Sequence, residues 1–279
     1  MLPVAQSLND QPPDMFTWLG QASALFEAGC YEAAIDKFNR VLEVDPGNCD
    51  AWIHQGYALC ELKAFEAAVK SFQNAISLQP RNALAWHGRG IAQAGLEAFN
   101  QALDSFDRTL ALQPNNVKAW YNRSHTLLRL GLYEDSIVSF DHVIELEPDN
   151  YRAWYNRALA LASLRRYWNA LSSLDTTLAL KRNCYYAWNY RGIVLNKLGR
   201  FEEALASFNR SLKCQENNPN AWYGRATTFA LQGDADQAAE NLQKAIAIDP
   251  EEYRWMAASD LNFQNILKAQ PIQALLLPQ

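Results

Sequence analysis

The tryptophans constrain this chain more than any other feature: Trp18, Trp52, Trp86, Trp120, Trp154, Trp188 and Trp222 recur every 34 residues without an insertion. A spacing kept that strictly marks one supersecondary unit repeated in tandem, each copy burying its apolar face against its neighbours. With Met15 as position 1, each of these tryptophans stands at position 4, and seven repeats run 15–48, 49–82, 83–116, 117–150, 151–184, 185–218 and 219–252. A polar leader, 1–14, precedes them and is expected to be flexible; a capping helix and an apolar tail are expected over 253–279.

Each unit reads as two helices. In 49–82, Trp52, Leu59 and Leu62 mark the first, and Phe65, Ala68, Val69, Phe72, Ala75 and Ile76 mark the second at three- and four-residue spacing. Between them, position 15 is Gly29, Gly131, Gly199 and Gly233 in four repeats, where a left-handed residue ends a helix without a Cβ penalty. Position 32 is Pro46, Pro80, Pro114, Pro148 and Pro250, which stops the second helix; Arg182 and Glu216 replace it in repeats 5 and 6, whose turns are expected to be looser. Small residues at position 20 (Ala34, Ala68, Ala102, Ser136, Ala170, Ala204, Ala238) alternate with large ones at position 24 (Phe38, Phe72, Phe106, Phe140, Leu174, Phe208, Leu242). That pairing lets the two helices close at interior density.

Trp52, Gly56, Leu59, Ala68, Phe72 and Pro80 stand where the tetratricopeptide repeat family carries its W-x2-L-G-x2-Y, A-x3-F and P pattern, and the chain resembles that family over seven units of 34 residues. The resemblance implies an all-α, right-handed superhelical solenoid of seven helical hairpins plus a C-terminal capping helix. One departure recurs: the family's leucine at position 7 is Arg89, Arg123, Arg157, Arg191 and Arg225 here, a W-x-x-R-G style similar to bacterial and cyanobacterial arrays. Asp107, Asp141 and Asp175 at position 25 are candidate bidentate partners for these arginines. At the C-terminal end, Trp255 comes one residue early and Met256 takes the tryptophan's place, so a cap with a polar outer face is expected. Leu275, Leu276 and Leu277 either fold back on that cap or meet another molecule.

Nothing in the residues points to catalysis. His54, His87, His125 and His142 fall at unrelated repeat positions, and no H-E-x-x-H, phosphate-binding loop, nucleophile elbow or dinucleotide motif is present. Cys30, Cys49, Cys60, Cys184 and Cys214 never pair as C-x-x-C and read as small buried hydrophobes, so no metal site and no cofactor are expected. A net charge of -5 disfavours nucleic acid as a partner. Apolar runs are too short to span a membrane, and no basic start leads into an apolar stretch, so a cytoplasmic location is the expectation.

The family resemblance places partner contacts at positions 2, 5, 6, 9, 12 and 13 of the first helices, which line a concave groove. Here those positions give His87, Lys118, Tyr121, Asn122, His125, Arg129, Arg152, Tyr155 and Asn156, extended by Asn189 and Tyr223. Tyrosine supplies area at low entropic cost, and arginine a fork for carboxylates. The family's clamp for chaperone C-terminal tails would need Lys, Asn, Asn, Lys and Arg where the chain has His87, Ile91, Asn122, Arg152 and Asn156, which argues against that mode. Its asparagine ladder along a threaded peptide is matched at Asn122 and Asn156 but not at His54, Gly88, Tyr190 or Gly224. The expected function is a non-catalytic interaction scaffold or assembly factor holding a partner's peptide or helix in the groove. The alternatives are an RNA-binding helical-repeat protein and the regulatory subunit of an enzyme complex. Trp168, off the ladder at a position that is polar in the other repeats, is a candidate second contact, and with the Leu275 to Leu277 tail a candidate for self-association.

Overall fold

A computed structural model describes residues 15–276; the leader 1–14, and Leu277 of the tail, lie outside the described residues. Among the described residues the protein is all-helical, with no strand. The helices follow the repeats two by two: α1 (Met15–Glu27) and α2 (Tyr31–Val44), α3 (Cys49–Glu61) and α4 (Phe65–Leu78), α5 (Ala83–Gly95) and α6 (Phe99–Leu112), and α7 (Val117–Arg129) and α8 (Tyr133–Leu146). Then come α9 (Tyr151–Ser163) with α10 (Tyr167–Leu180), α11 (Tyr185–Lys197) with α12 (Phe201–Cys214), and α13 (Pro219–Gln232) with α14 (Ala235–Ile248). The chain divides into two compact units, one ending at Ser139 and the other beginning at Phe140, within α8.

The break between paired helices has one backbone solution in all seven repeats. Gly29, Gly131, Gly199 and Gly233 take φ between 71 and 81°, as their residue type allows. Lys63, Glu97 and Arg165, at the same position of repeats 2, 3 and 5, are forced to φ 58°. The following amide then reaches back to close the turn, as in Cys30 N–H to Leu25 O at 2.9 Å and Ala64 N–H to Leu59 O at 2.9 Å. A side chain in this region costs about 1–2 kcal/mol, which glycine avoids at some entropic expense in the unfolded chain. Lys63→Gly, Glu97→Gly and Arg165→Gly are therefore each expected to stabilise by about 0.5–1 kcal/mol. Chemical denaturation of the triple variant checks this, and an unchanged or lower midpoint would contradict it.

Five first helices, α3, α5, α7, α9 and α13, begin on an asparagine at position 34, a signal not read from the sequence: the Asn48, Asn116 and Asn150 side chains accept the amides of Ala51, Ala119 and Ala153 at 3.0 to 3.1 Å, while Asn218 makes no such bond. Each such cap contributes roughly 1 kcal/mol. The tryptophan of the next repeat ties the same turn down, its indole N–H donating to the position-32 carbonyl: Trp52 to Pro46 at 2.9 Å, Trp86 to Pro80 at 2.8 Å, Trp154 to Pro148 at 2.9 Å. Trp188 makes the identical 2.8 Å bond to Arg182 O. The turn of repeat 5 is thus not looser for lack of proline; in repeat 6 the second helix still closes on its own Gln215 N–H to Ser211 O bond at 2.9 Å.

The position-20 and position-24 side chains are wholly buried, from Ala34 and Phe38 to Ala238 and Leu242. Ser136 meets the same burial by donating its hydroxyl to Ser124 O at 2.9 Å. The position-7 arginines join consecutive repeats, though not as bidentate carboxylate pairs. Arg157 gives Nε to Asp141 Oδ1 (2.6 Å) and Nη1 to Ser173 Oγ (2.8 Å), with Trp154 5.8 Å beneath its guanidinium. Arg123 with Asp107 and Ser139, and Arg191 with Asp175 and Ser207, repeat the arrangement. Splitting the fork lets one side chain hold the second helices of two adjacent repeats.

After α14, α15 (Pro250–Ser259) opens on the Asp249 cap, a 3₁₀ turn covers Leu261–Phe263, and α16 (Gln270–Leu276) follows. Tyr253, Ala257, Phe263, Ile266 and Ile272 are buried with the core of α13 and α14, and Leu275 and Leu276 pack against it. Both described tail leucines therefore fold back, and Arg254 Nε holds Leu275 O at 3.1 Å. The outer face of this segment is less polar than expected, with Trp255 72% and Leu261 81% exposed. Nor are the cysteines uniformly interior: Cys49 and Cys184 are buried, but Cys30 and Cys214 are exposed.

Candidate functional site

In the first unit, the expected groove residues are unequal. His87 is buried, with Tyr57 Oη 3.4 Å from Nδ1 and Asn122 Nδ2 3.1 Å from Nε2. Burial holds its pKa down to about 4, against a smaller opposing effect of a hydrogen bond with the Lys118 backbone. His87 is thus a neutral packing residue that engages the amide of Asn122, rather than an accessible groove contact. Lys118, His125 and Arg129 are exposed, while Tyr121 is half-buried. Arg129 leans back over the Phe99 ring (5.3 Å) and reaches Glu97 at 3.4 Å; its charge, after burial, lowers the His125 pKa. The ladder gaps at Gly88 and Gly224 have a steric cause, since a Cβ would stand 2.2 Å from the Phe72 ring at Gly88 and 2.3 Å from the Phe208 ring at Gly224.

In the second unit, the first helices carry an aromatic cluster. Tyr155 meets Tyr186 edge-on at 4.7 Å and Tyr190 at 6.2 Å, and Tyr186 meets Tyr185 at 5.5 Å. Tyr151 Oη accepts from Lys181 Nζ at 2.8 Å and from Arg152 Nε at 3.2 Å, two bonds that lower the Tyr151 pKa. Burial raises that of Tyr155. Asn156 is half-buried in the same helix.

Further along that surface lies a pocket of about 420 Å³. Asn189, Ile193, Asn196 and Lys197 of α11, with Tyr223 and Thr227 of α13, form its walls, and Met256 and Asp260 close it. Asn189 and Tyr223 were expected there; Ile193, Asn196 and Lys197 were not singled out, although they occupy positions 9, 12 and 13 of their repeat. Most polar groups here are already bonded: Tyr223 Oη donates to Asp260 Oδ2 at 2.8 Å, Tyr253 Oη to Asn220 Oδ1 at 2.9 Å, and Asn196 to Thr228 Oγ1 at 3.0 Å. Tyr223 consequently offers a wall rather than a free hydroxyl, and its pKa is raised by burial and by Asp260.

Trp168 is 64% exposed on α10, with the Arg200 guanidinium 5.3 Å over its ring. Among the described residues no group of His, Cys, Asp and Glu could hold a metal, and no helix is long and apolar enough to cross a membrane.

Tandem helical hairpins whose first helices carry tyrosines and amides define a helical-repeat protein. The chain belongs to the tetratricopeptide repeat family: models of that family match residues 87–141, 121–176 and 183–251, and one described as TPR repeat matches 56–97. The C-terminal part of a TPR repeat-containing protein from Cytophaga hutchinsonii is similar at a TM-score of 0.71 and 14% identity, over 87% of this chain and 100% of that one. A tetratricopeptide repeat protein from Parabacteroides merdae is similar at 0.65 and 16%, over 94% of this chain and 97% of that one. YrrB, described as a TPR protein with an unusual peptide-binding site, is similar at 0.56 and 23%, over 66% and 94%. At these identities the likeness is one of fold. No curated protein matches the chain.

Proposed function

We propose that this protein is a non-catalytic interaction module that holds a partner's extended segment or helix on its first helices, with the second unit supplying the main contact. The observation that carries this reading is the 420 Å³ pocket, whose walls on α11 and α13 are built largely from the repeat positions where the family receives its partners. Its size suits one large apolar side chain. Ile193, Leu231 and Met256 offer an apolar lining, most of the amides and hydroxyls around them are already bonded, and the buried, unpartnered Asn189 Oδ1 leaves one acceptor for a ligand's N–H. The tyrosines of α9 and α11 extend the surface with rigid, amphipathic area. The peptide-binding site in the description of YrrB lends support by analogy of fold.

Selection from a displayed random-peptide library on the wild-type chain, followed by binding titration, tests the reading. Selected peptides are expected to share an apolar anchor and to lose about tenfold or more in affinity against Ile193→Arg or Thr227→Arg, the loss of a filled hot-spot pocket. Enrichment of no peptide, or binding indifferent to both substitutions, would reject it. An RNA ligand would instead bind with steep salt dependence.

A further inference from the structure

Sharing no residue with that pocket, a second and larger concavity of about 740 Å³ lies where repeats 5 and 6 meet, wholly within the second unit. Its lining includes Arg182, Arg191, Arg210 and Lys213 against a single carboxylate, Asp175, in a chain whose net charge is -5. Arg191 is spent: Nε bonds Asp175 at 2.7 Å and Nη1 bonds Ser207 at 2.8 Å. Arg182, Arg210 and Lys213 are exposed and make no ion pair among the described residues. Trp188 forms part of the wall, and exposed Cys214 stands at the same site.

The cationic trio is particular to this junction. It comes from position 32 of repeat 5 and positions 26 and 29 of repeat 6; at every other junction those three positions hold at most one lysine or arginine. The exchange of proline for Arg182 leaves the turn unaltered, since Trp188 still bonds the position-32 carbonyl at 2.8 Å. What the exchange adds is charge. Unpaired guanidinium and ammonium groups grouped in one concavity beside an indole suit carboxylates carried on a partly apolar chain.

We propose that this pocket is a second binding site, for a short carboxylate-rich peptide segment. A long polyanion fits less well, because it would extend beyond the concavity toward Glu202 and Glu203 at the start of α12 and Glu216 just past its end, none of which lines it, whereas a short segment need not. The proposal shares no residue with the peptide surface inferred above and stands or falls separately from it.

The test uses the full chain and a fluorescein-labelled peptide of mixed Asp, Glu and Leu, with the Asn/Gln version as control. Fluorescence anisotropy is expected to report binding of the acidic peptide only, weakening as salt rises. Arg210→Glu with Lys213→Glu should reduce affinity by about tenfold or more, and Ile193→Arg should leave it unchanged. Bound peptide is also expected to slow alkylation of Cys214 but not of Cys30, both of which are exposed. Should the double variant lose helicity, Arg182→Gln takes its place, and an undiminished affinity there counts against the site. Absence of binding at low salt, equal binding of the Asn/Gln peptide, uniform protection of both thiols, or tighter binding of a single-stranded RNA lost in the same variant would each overturn the proposal.

Discussion

Gly88→Ala is expected to destabilise the first unit by about 2 kcal/mol, whereas Gly20→Ala, at the same position of repeat 1, is expected to stabilise it by about 0.5–1 kcal/mol. Both replace a helical glycine by the best helix former, so propensity favours both. They differ in what the new methyl meets. At Gly20 nothing lies within 4 Å, while at Gly88 the methyl would stand 2.2 Å from Phe72 Cε1. Phe72 has no exposed surface and no room to retreat, because a Cβ at Gly56, the other glycine against its ring, would come within 2.7 Å. Overpacking of a confined core costs about 1–3 kcal/mol, and only part is offset by the gain in propensity. Gly224 against Phe208 repeats the geometry at 2.3 Å, so Gly224→Ala should resemble Gly88→Ala. Urea denaturation of the three variants decides it; a common sign for Gly20 and Gly88 would refute the packing argument.

Acidification should loosen repeats 2 and 3 before His87 is protonated in the folded state. Its folded pKa is held at about 4, against an ordinary value near 6.5 in the unfolded chain. The group is depressed, so between those values the unfolded state binds more protons, and stability rises with pH. The contribution is complete above about pH 6.5 and is lost progressively down to about pH 4, for a total of roughly 3 kcal/mol. Because repeat arrays open locally, the loss should appear first as faster amide exchange in α3 to α6 rather than as global unfolding. His87→Gln removes the titrating group and should flatten that dependence. Proton resonance titration should place His87 near pH 4; a midpoint near 6.5 would show that Tyr57 and Asn122 do not confine the ring.

The repeat register, the paired helices, the small-and-large alternation of the core and the family were legible in the residues alone, because each is a periodicity written locally in the backbone and its nearest side chains. Position 15 illustrates how strong that local demand is: Lys63, Glu97 and Arg165 adopt the same left-handed conformation as the glycines. The family resemblance implied partner contacts at positions 9, 12 and 13 of the first helices, and Ile193, Asn196 and Lys197 occupy those positions in the wall of a pocket.

Which of those positions remain available depends on packing between repeats. His87 is taken by Tyr57 and Asn122, from the preceding and following repeats, and the Tyr223 hydroxyl by Asp260 of the C-terminal segment. The arginine forks are divided between two repeats, and the free cations of the fifth and sixth repeats come together in one concavity. A repeat position fixes the direction of a side chain, but its burial, hydrogen bonding and charge environment depend on what the neighbouring repeat or the cap lays against it, and that information is distributed over residues a full unit or more apart.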